Sequence, residues 1–326
     1  MGEPNRRLNP KIIGPVNRGL LLEAVLWMYK EFLILPCPGG VALREETRPG
    51  RGRPAWDWRI LAVLLILCAL LRKTWDDYEA ELRKNISLAQ VFGKTSLPSK
   101  STLYRAFRSW PLRFWRIVLT HLVREFVRKD MWLLVDATGI TLRSCSSWFL
   151  ARIGERIRKR DHHKLHLLQL ADWNLILDFR ITRGKRHDSP VFRKMLRMLR
   201  NIGLVFGDKV YCCKKTVAMI LQRGGAPFLC FKKNAKTNGL SPWATQVRFA
   251  KGFFSWVWMN IYHRRNLVES AFSALKRRYG RALRSNLRET RRRELVLRLL
   301  AYNVRQILYI HYAQKNSLPV WVRAKK

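Results

Sequence analysis

Between positions 209 and 288 this chain carries a single acidic residue, Glu269, inside the strongly basic run Tyr262-His263-Arg264-Arg265-Asn266-Leu267-Val268-Glu269. At about 100° per residue, a helix through this stretch puts Arg265 at about −40°, Lys276 at about −20° and Tyr262 at about +20° from Glu269. Leu267, Ala271 and Ala274 fall on the far side, with Val268 and Leu275 flanking them. The helix is expected to pack by that apolar back and to present a carboxylate ringed by two cations and a phenol. Taken alone, Arg265 and Glu269 at i,i+4 also describe an ordinary surface ion pair, which contributes little energy.

Two further isolated acids shift that balance. Asp136 follows the apolar run 131–135, and Asp208 follows 204–207. Each is expected to sit at the end of a buried strand, and such ends meet at one edge of a sheet, where α/β proteins bind ligands. Three carboxylates in a cationic chain are the hard oxygen donors that hold two divalent ions about 4 Å apart for phosphoryl transfer. Neighbouring Lys and Arg would then grip phosphates.

The elements that must position these residues are legible in coarse form. Residues 1–128 read as helical: 20–35, 60–71 and 110–127 carry apolar residues at helical spacing or in a continuous buried run. Pro98-Ser99-Lys100 followed by Ser101-Thr102-Leu103-Tyr104-Arg105 is a proline turn, a serine cap and a short basic helix. That is a helix-turn-helix-like recognition element in which Lys100 and Arg105 would face DNA. From 129 the texture changes to short β-type runs at 131–135, 139–143, 165–171, 177–183, 203–206 and 228–231. Helices are expected at 190–201, 216–223 and 265–278, and again over 284–313. The order predicts a mixed α/β domain, and its three parts are 1–128, 129–282 and 283–326.

Composition narrows the partner. The 326 residues hold 64 Lys and Arg against 22 Asp and Glu, a formal charge of +42. Basic residues run along the whole chain, which points to a polyanion and fits nucleic acid better than a membrane surface. The longest apolar run, 60–71, is too short to cross a bilayer. No signal-peptide pattern is evident, so a cytoplasmic, nucleoid-associated protein is expected. The cysteines include no C-x-x-C pair and read as reduced core residues. His162-x3-His166 has a helical metal spacing, yet its stretch reads as a strand, so zinc is not expected. Asp172 and Asp178 flank Trp173-Asn174 and read as turn residues. The basic run 152–164 reads as a solvated loop or a phosphate contact, and Arg51-Gly52-Arg53-Pro54 resembles a minor-groove hook.

The run Tyr262-x2-Arg265-x3-Glu269-x6-Lys276 resembles the Y-(2)-R-(3)-E-(6)-K signature of DDE transposases from prokaryotic insertion sequences. Asp136 in Val-Asp-Ala-Thr-Gly resembles the first catalytic aspartate of that family, and Asp208 in Gly-Asp-Lys-Val-Tyr the second, usually written A-D-x-G-Y. Lys164-x-His166 and the block 184–189, with His187, resemble segments between the two. Val210 stands where glycine is common, so the backbone after Asp208 is expected to turn differently.

The resemblance implies an RNase H-like catalytic core behind the helical domain, with a gap between Asp208 and Glu269 that holds a helix, a strand and a loop. It implies Asp136, Asp208 and Glu269 as ligands of two Mg²⁺ or Mn²⁺ ions. Arg265, Lys276 and Arg264 would lie on DNA phosphates, with Tyr262 beside them. The activity implied is cleavage at transposon terminal inverted repeats and strand transfer into target DNA by a homodimer. Two other readings stay open: a repurposed DNA-binding protein of the same fold, and a nuclease or resolvase without strand transfer.

Overall fold

The computed structural model describes residues 6–35, 56–141, 162–184, 186–231, 234–235, 239–252, 255–285 and 287–323. The Arg51-Gly52-Arg53-Pro54 motif, Lys185, Cys37, Cys145 and all of the 152–164 run before His162 lie outside them.

After strand β1 (Arg6–Leu8), Asn9 caps helix α1 (Pro10–Ile34), its side chain accepting from the Lys11 N–H at 3.1 Å. Helix α2 (Trp58–Leu71) is apolar on every side and buried almost throughout. A helix of that kind is stable only when other helices enclose it. Shorter helices follow: α3 (Trp75–Lys84), α4 (Ile86–Val91), α5 (Lys100–Ser109) and α6 (Leu112–Leu122). Ser99 caps α5 as its sequence predicts, accepting from the Thr102 N–H. Trp58, Trp110 and Trp115 are core residues.

These helices form one compact unit, residues 7–122 together with 285–326. The second unit is 1–6 with 123–284. The segment 283–326, expected to pack on the catalytic core, therefore belongs with the N-terminal helices. Its long helix, α12 (Arg288–Lys315), lies against α1 and α2. Buried polar bonds fix it there: Arg293 Nε donates to the Trp110 carbonyl at 2.7 Å, and Arg305 Nη1 to Asn17 Oδ1 at 2.7 Å. Apolar residues on most sides of α12, from Leu295 to Ile310, give it more surface to bury than one neighbour can cover.

The second unit is built on a five-stranded mixed sheet. In chain order come β2 (Met131–Thr141), β3 (His162–Leu170), β4 (Leu175–Arg183), helix α7 (Asp188–Leu196), β5 (Ile202–Gly207), helix α8 (Lys214–Leu221) and β6 (Ala226–Leu229). The spatial order is β4-β3-β2-β5-β6. The first three pair antiparallel, whereas β5 runs parallel to β2 and β6 to β5. This mixed sheet with flanking helices is the RNase H-like core that was expected.

Two predicted runs, 131–135 and 139–143, are one strand. Asp136 therefore lies inside β2 and does not end it. The physical reason is unequal pairing: β5 leaves β2 at Val135↔Gly207, while β3 stays paired out to Thr141↔His162. Asp172 lies in the turn before β4, but Asp178 lies within that strand, its Oδ1 accepting from the Phe179 N–H at 2.8 Å.

Beyond β6 the expected loop contains two helices, α9 (Pro242–Lys251) and α10 (Ser255–Tyr262). The signal for α9 was present: Ser241 is an N-cap followed by proline at the first helical position. A 3-10 turn (His263–Arg265) then leads into α11 (Asn266–Tyr279).

Candidate active site

Parallel strands lie about 4.8 Å apart, so the register Val135↔Gly207 brings the next residues, Asp136 and Asp208, side by side. The opposite face of the strand pair is closed: a Cβ on Gly207 would stand 2.8 Å from Val135 Cγ1 and 3.0 Å from Leu229 Cδ2. Asp136 and Asp208 are both half-buried. Each is fixed at one oxygen by a backbone N–H, from Ala137 at 2.8 Å and from Lys209 at 2.7 Å.

The chain from Arg264 to Lys276 runs along β2 in the same direction. The Arg264 guanidinium lies 4.3 Å above the Trp132 ring, and Lys276 Nζ donates to Thr138 Oγ1 at 2.6 Å. Between these anchors Arg265 and Glu269 form an ion pair at 3.4 Å. Asp136, Thr138, Glu269 and Lys276 line one cleft. Asp208 is not part of that lining but acts on Asp136 from the neighbouring strand.

Electrostatics tie the three acids together. Burial pushes the Asp136 carboxyl above its ordinary value, and the charges of Asp208 and Glu269 add to that, opposed by the Ala137 N–H and by Arg265. The guanidinium of Arg265 lies in the fields of Asp208, Asp136 and Glu269 at once. It is the positive charge these carboxylates share. Among the described residues no three His, Cys, Asp or Glu side chains are grouped closely enough to hold a metal ion. The donor set nevertheless fits a hard divalent cation: carboxylate oxygens only, with a surplus of negative charge on a half-buried aspartate.

The helix does not pack as the wheel predicts. Val268, Ala271, Phe272, Leu275 and Tyr279 are its buried residues, whereas Leu267 and Ala274 are half-buried. The two aromatic side chains draw the buried stripe toward themselves, because they carry most of the apolar surface. Glu269 is left exposed at the border of that stripe. Tyr262 is not on this helix at all. It ends α10, where its ring stacks on Trp258 at 4.6 Å, and it reaches the site across the 3-10 turn.

Lys164 and His166 lie on β3 and converge on an acid that the sequence reading left without a role. Lys164 Nζ is 2.5 Å from Asp188 Oδ1, and His166 Nδ1 is 3.6 Å from the same oxygen. The pattern Lys-x-His on a strand, facing an Asp at a helix start, was the available signal. His187 is exposed at the N-cap of α7 and makes no capping bond with its side chain. In the helical unit, Lys100 is occupied by an ion pair with Asp76, while its N–H donates to Glu79. Arg105 is exposed, as a DNA contact requires.

Burial pushes the His166 imidazole down to about 4, against the pull of Asp188. The ring is 1 % exposed and neutral at pH 7, with Nε2 bonded to Thr182 Oγ1 at 2.9 Å. Its folded value is depressed, so its contribution to stability is complete above pH 6.5, the ordinary value, and is lost as pH falls toward 4. The loss amounts to about 3 kcal/mol. Urea titrations from pH 7 to pH 4.5 should show a steeper decline for the wild type than for His166→Asn. Parallel declines would remove this assignment.

Among curated proteins no sequence matches this chain. Among solved structures the chain is similar to the piggyBac transposase in a synaptic complex with hairpin DNA, determined by cryo-electron microscopy. The TM-score is 0.43 at 10 % identity, over 93 % of this chain and 75 % of that one. The family described as the transposase DDE domain matches residues 128–304, more than half of the chain. That span takes in β2 with Asp136, β5 with Asp208 and α11 with Glu269, and the chain belongs to the transposase DDE domain family.

Proposed function

We propose that this transposase cleaves DNA at the ends of its element and joins the freed ends to target DNA. The observation that carries the reading is the shared field of Asp136, Asp208 and Glu269 around Arg265, on a sheet edge from which β5 has withdrawn. Asp136, Asp208 and Glu269 would hold Mg²⁺ or Mn²⁺, which supplies Lewis acidity at the phosphoryl oxygen and a nucleophile at neutral pH.

The remaining roles belong to the protein. Lys276, held against Thr138, and Arg265 bind phosphates on either side of the scissile bond. Tyr262, backed by Trp258, packs beside them. The reaction is in-line attack on phosphorus without a covalent enzyme intermediate: water first, releasing a 3′-OH, and that hydroxyl second, on the target. Residues 1–128 bind the terminal inverted repeats, with α5 and Arg105 as the reading element. Two ends must react together, so the working form is a homodimer on DNA in the cytoplasm of a prokaryotic cell. Among the described residues no helix is long and apolar enough to cross a membrane.

The test is incubation of the purified protein with Mg²⁺ or Mn²⁺ and labelled DNA bearing the element's terminal repeats. Nicks at the repeat ends and joined products are expected. Nicks without joined products would favour a nuclease, and binding without nicks a repurposed DNA-binding protein.

Lys276→Ala should weaken DNA binding to all sequences alike and lower the slope of log affinity against log salt by about one. Fluorescence anisotropy over a range of salt concentrations reads this directly. An unchanged slope would mean that Lys276 meets no phosphate.

A further inference from the structure

Tyr211 follows Asp208 by one tight turn, closed by its own N–H donating to the Asp208 carbonyl at 2.9 Å. Val210, which stands in place of a common glycine, is not among the residues with positive φ, so the turn makes no demand for glycine there. The demand falls on Gly207, where the nearest carbon of the Tyr211 ring lies 3.4 Å from the place a Cβ would occupy. The ring tucks under the end of β5 and meets Phe192 edge-on at 5.5 Å. It is 1 % exposed, and its hydroxyl has no hydrogen-bond partner.

A buried hydroxyl without a partner is rare and asks for an acceptor. Three carboxylates act on it, Asp136 most strongly, then Asp188 and Asp208, and together with burial they hold it well above the ordinary phenol range. It remains a proton donor. Asp188 is already taken by the Lys164 ammonium, and Asp208 by the Lys209 N–H. Asp136 accepts only the Ala137 N–H, at Oδ1.

We propose that Tyr211 is a positioning residue of the acidic site, its hydroxyl donating a hydrogen bond to the Asp136 carboxylate when that carboxylate serves as a metal ligand. The inference rests on the function proposed above. Carboxylates that hold metals are themselves held by hydrogen bonds, and loss of such a partner lowers metal affinity about 10- to 100-fold.

The test uses the full chain and Mn²⁺ alone, with free Mn²⁺ counted by electron paramagnetic resonance and melting followed with and without the ion. Tyr211→Phe should bind Mn²⁺ about 10- to 100-fold more weakly than wild type. Its metal-free Tm should equal or exceed that of wild type, because the hydroxyl has no partner there. Equal Mn²⁺ affinity in the two proteins overturns the proposal. A lower metal-free Tm with equal affinity would make the hydroxyl a structural group. If wild type and Asp136→Ala bind Mn²⁺ alike, the acidic site is not the metal site, and the functional reading falls together with this one.

Discussion

Alanine at Asp136, Asp208 or Glu269 is expected to lower metal-dependent cleavage on the order of 10³-fold or more, with DNA binding unchanged or tighter. The three losses should be similar in size and far from additive, because groups that hold one site act as a unit. Asp136 lies at the centre of the arrangement: it is half-buried, anchored by the Ala137 N–H, and acted on by both other acids. Glu269 is exposed and paired with Arg265, so its removal frees a guanidinium and leaves the fold intact. Removing a negative charge from a chain of +42 cannot weaken its attraction for a polyanion. Single-turnover cleavage and a parallel binding titration separate the two effects. Equal cleavage by wild type and all three variants would place the chemistry elsewhere.

Gly203→Ala is expected to destabilise the sheet unit by about 3 kcal/mol. Its Cβ would stand 2.2 Å from the backbone oxygen of Asp130 and 3.2 Å from that of Met131. Backbone cannot swing aside as a side chain does, so β5 must move off the start of β2. That start is already irregular: Asp130 has φ 57°, and the β2–β5 register shifts between Met131 and Leu133. The register further along the pair sets Asp136 beside Asp208, so cleavage should fall along with stability. Gly14→Ala in helix α1 is the contrasting change. Its Cβ would meet only the Arg18 side chain, at 3.7 Å, and a gain of about 0.5–1 kcal/mol is expected from helix propensity. Melting curves of the two variants should move in opposite directions. A neutral Gly203→Ala would mean that the strand pair is less tightly fixed than its geometry implies.

Much of the site was legible because its signals are local. One acid in a long basic stretch, spaced from Arg265 and Lys276 to share a stripe, needs only the helical period to be read. The apolar runs before Asp136 and Asp208 needed only the composition of buried strands. The serine cap at Ser99 was legible for the same reason. What misled were boundaries. The run 131–135 looked finished at Asp136, since a carboxylate seldom sits inside a buried strand, and nothing local reveals that β3 goes on pairing to Thr141.

Sequence alone thus determined which residues are chemically able to act: the three acids, the cations around Glu269, and a cationic surface suited to DNA. Tertiary structure decided how they meet. It set Asp136 beside Asp208 through a parallel register that spans distant segments, and it turned α11 by the pull of Phe272 and Tyr279 so that Glu269 borders the cleft. It drew 285–326 into the helical unit with the N-terminal helices, and it brought Asp188 to Lys164 and His166. The physical reason is the same in each case. Helix periodicity and capping are decided within a few residues, whereas strand partners, helix rotation and buried ion pairs depend on surfaces contributed by segments far apart in the chain.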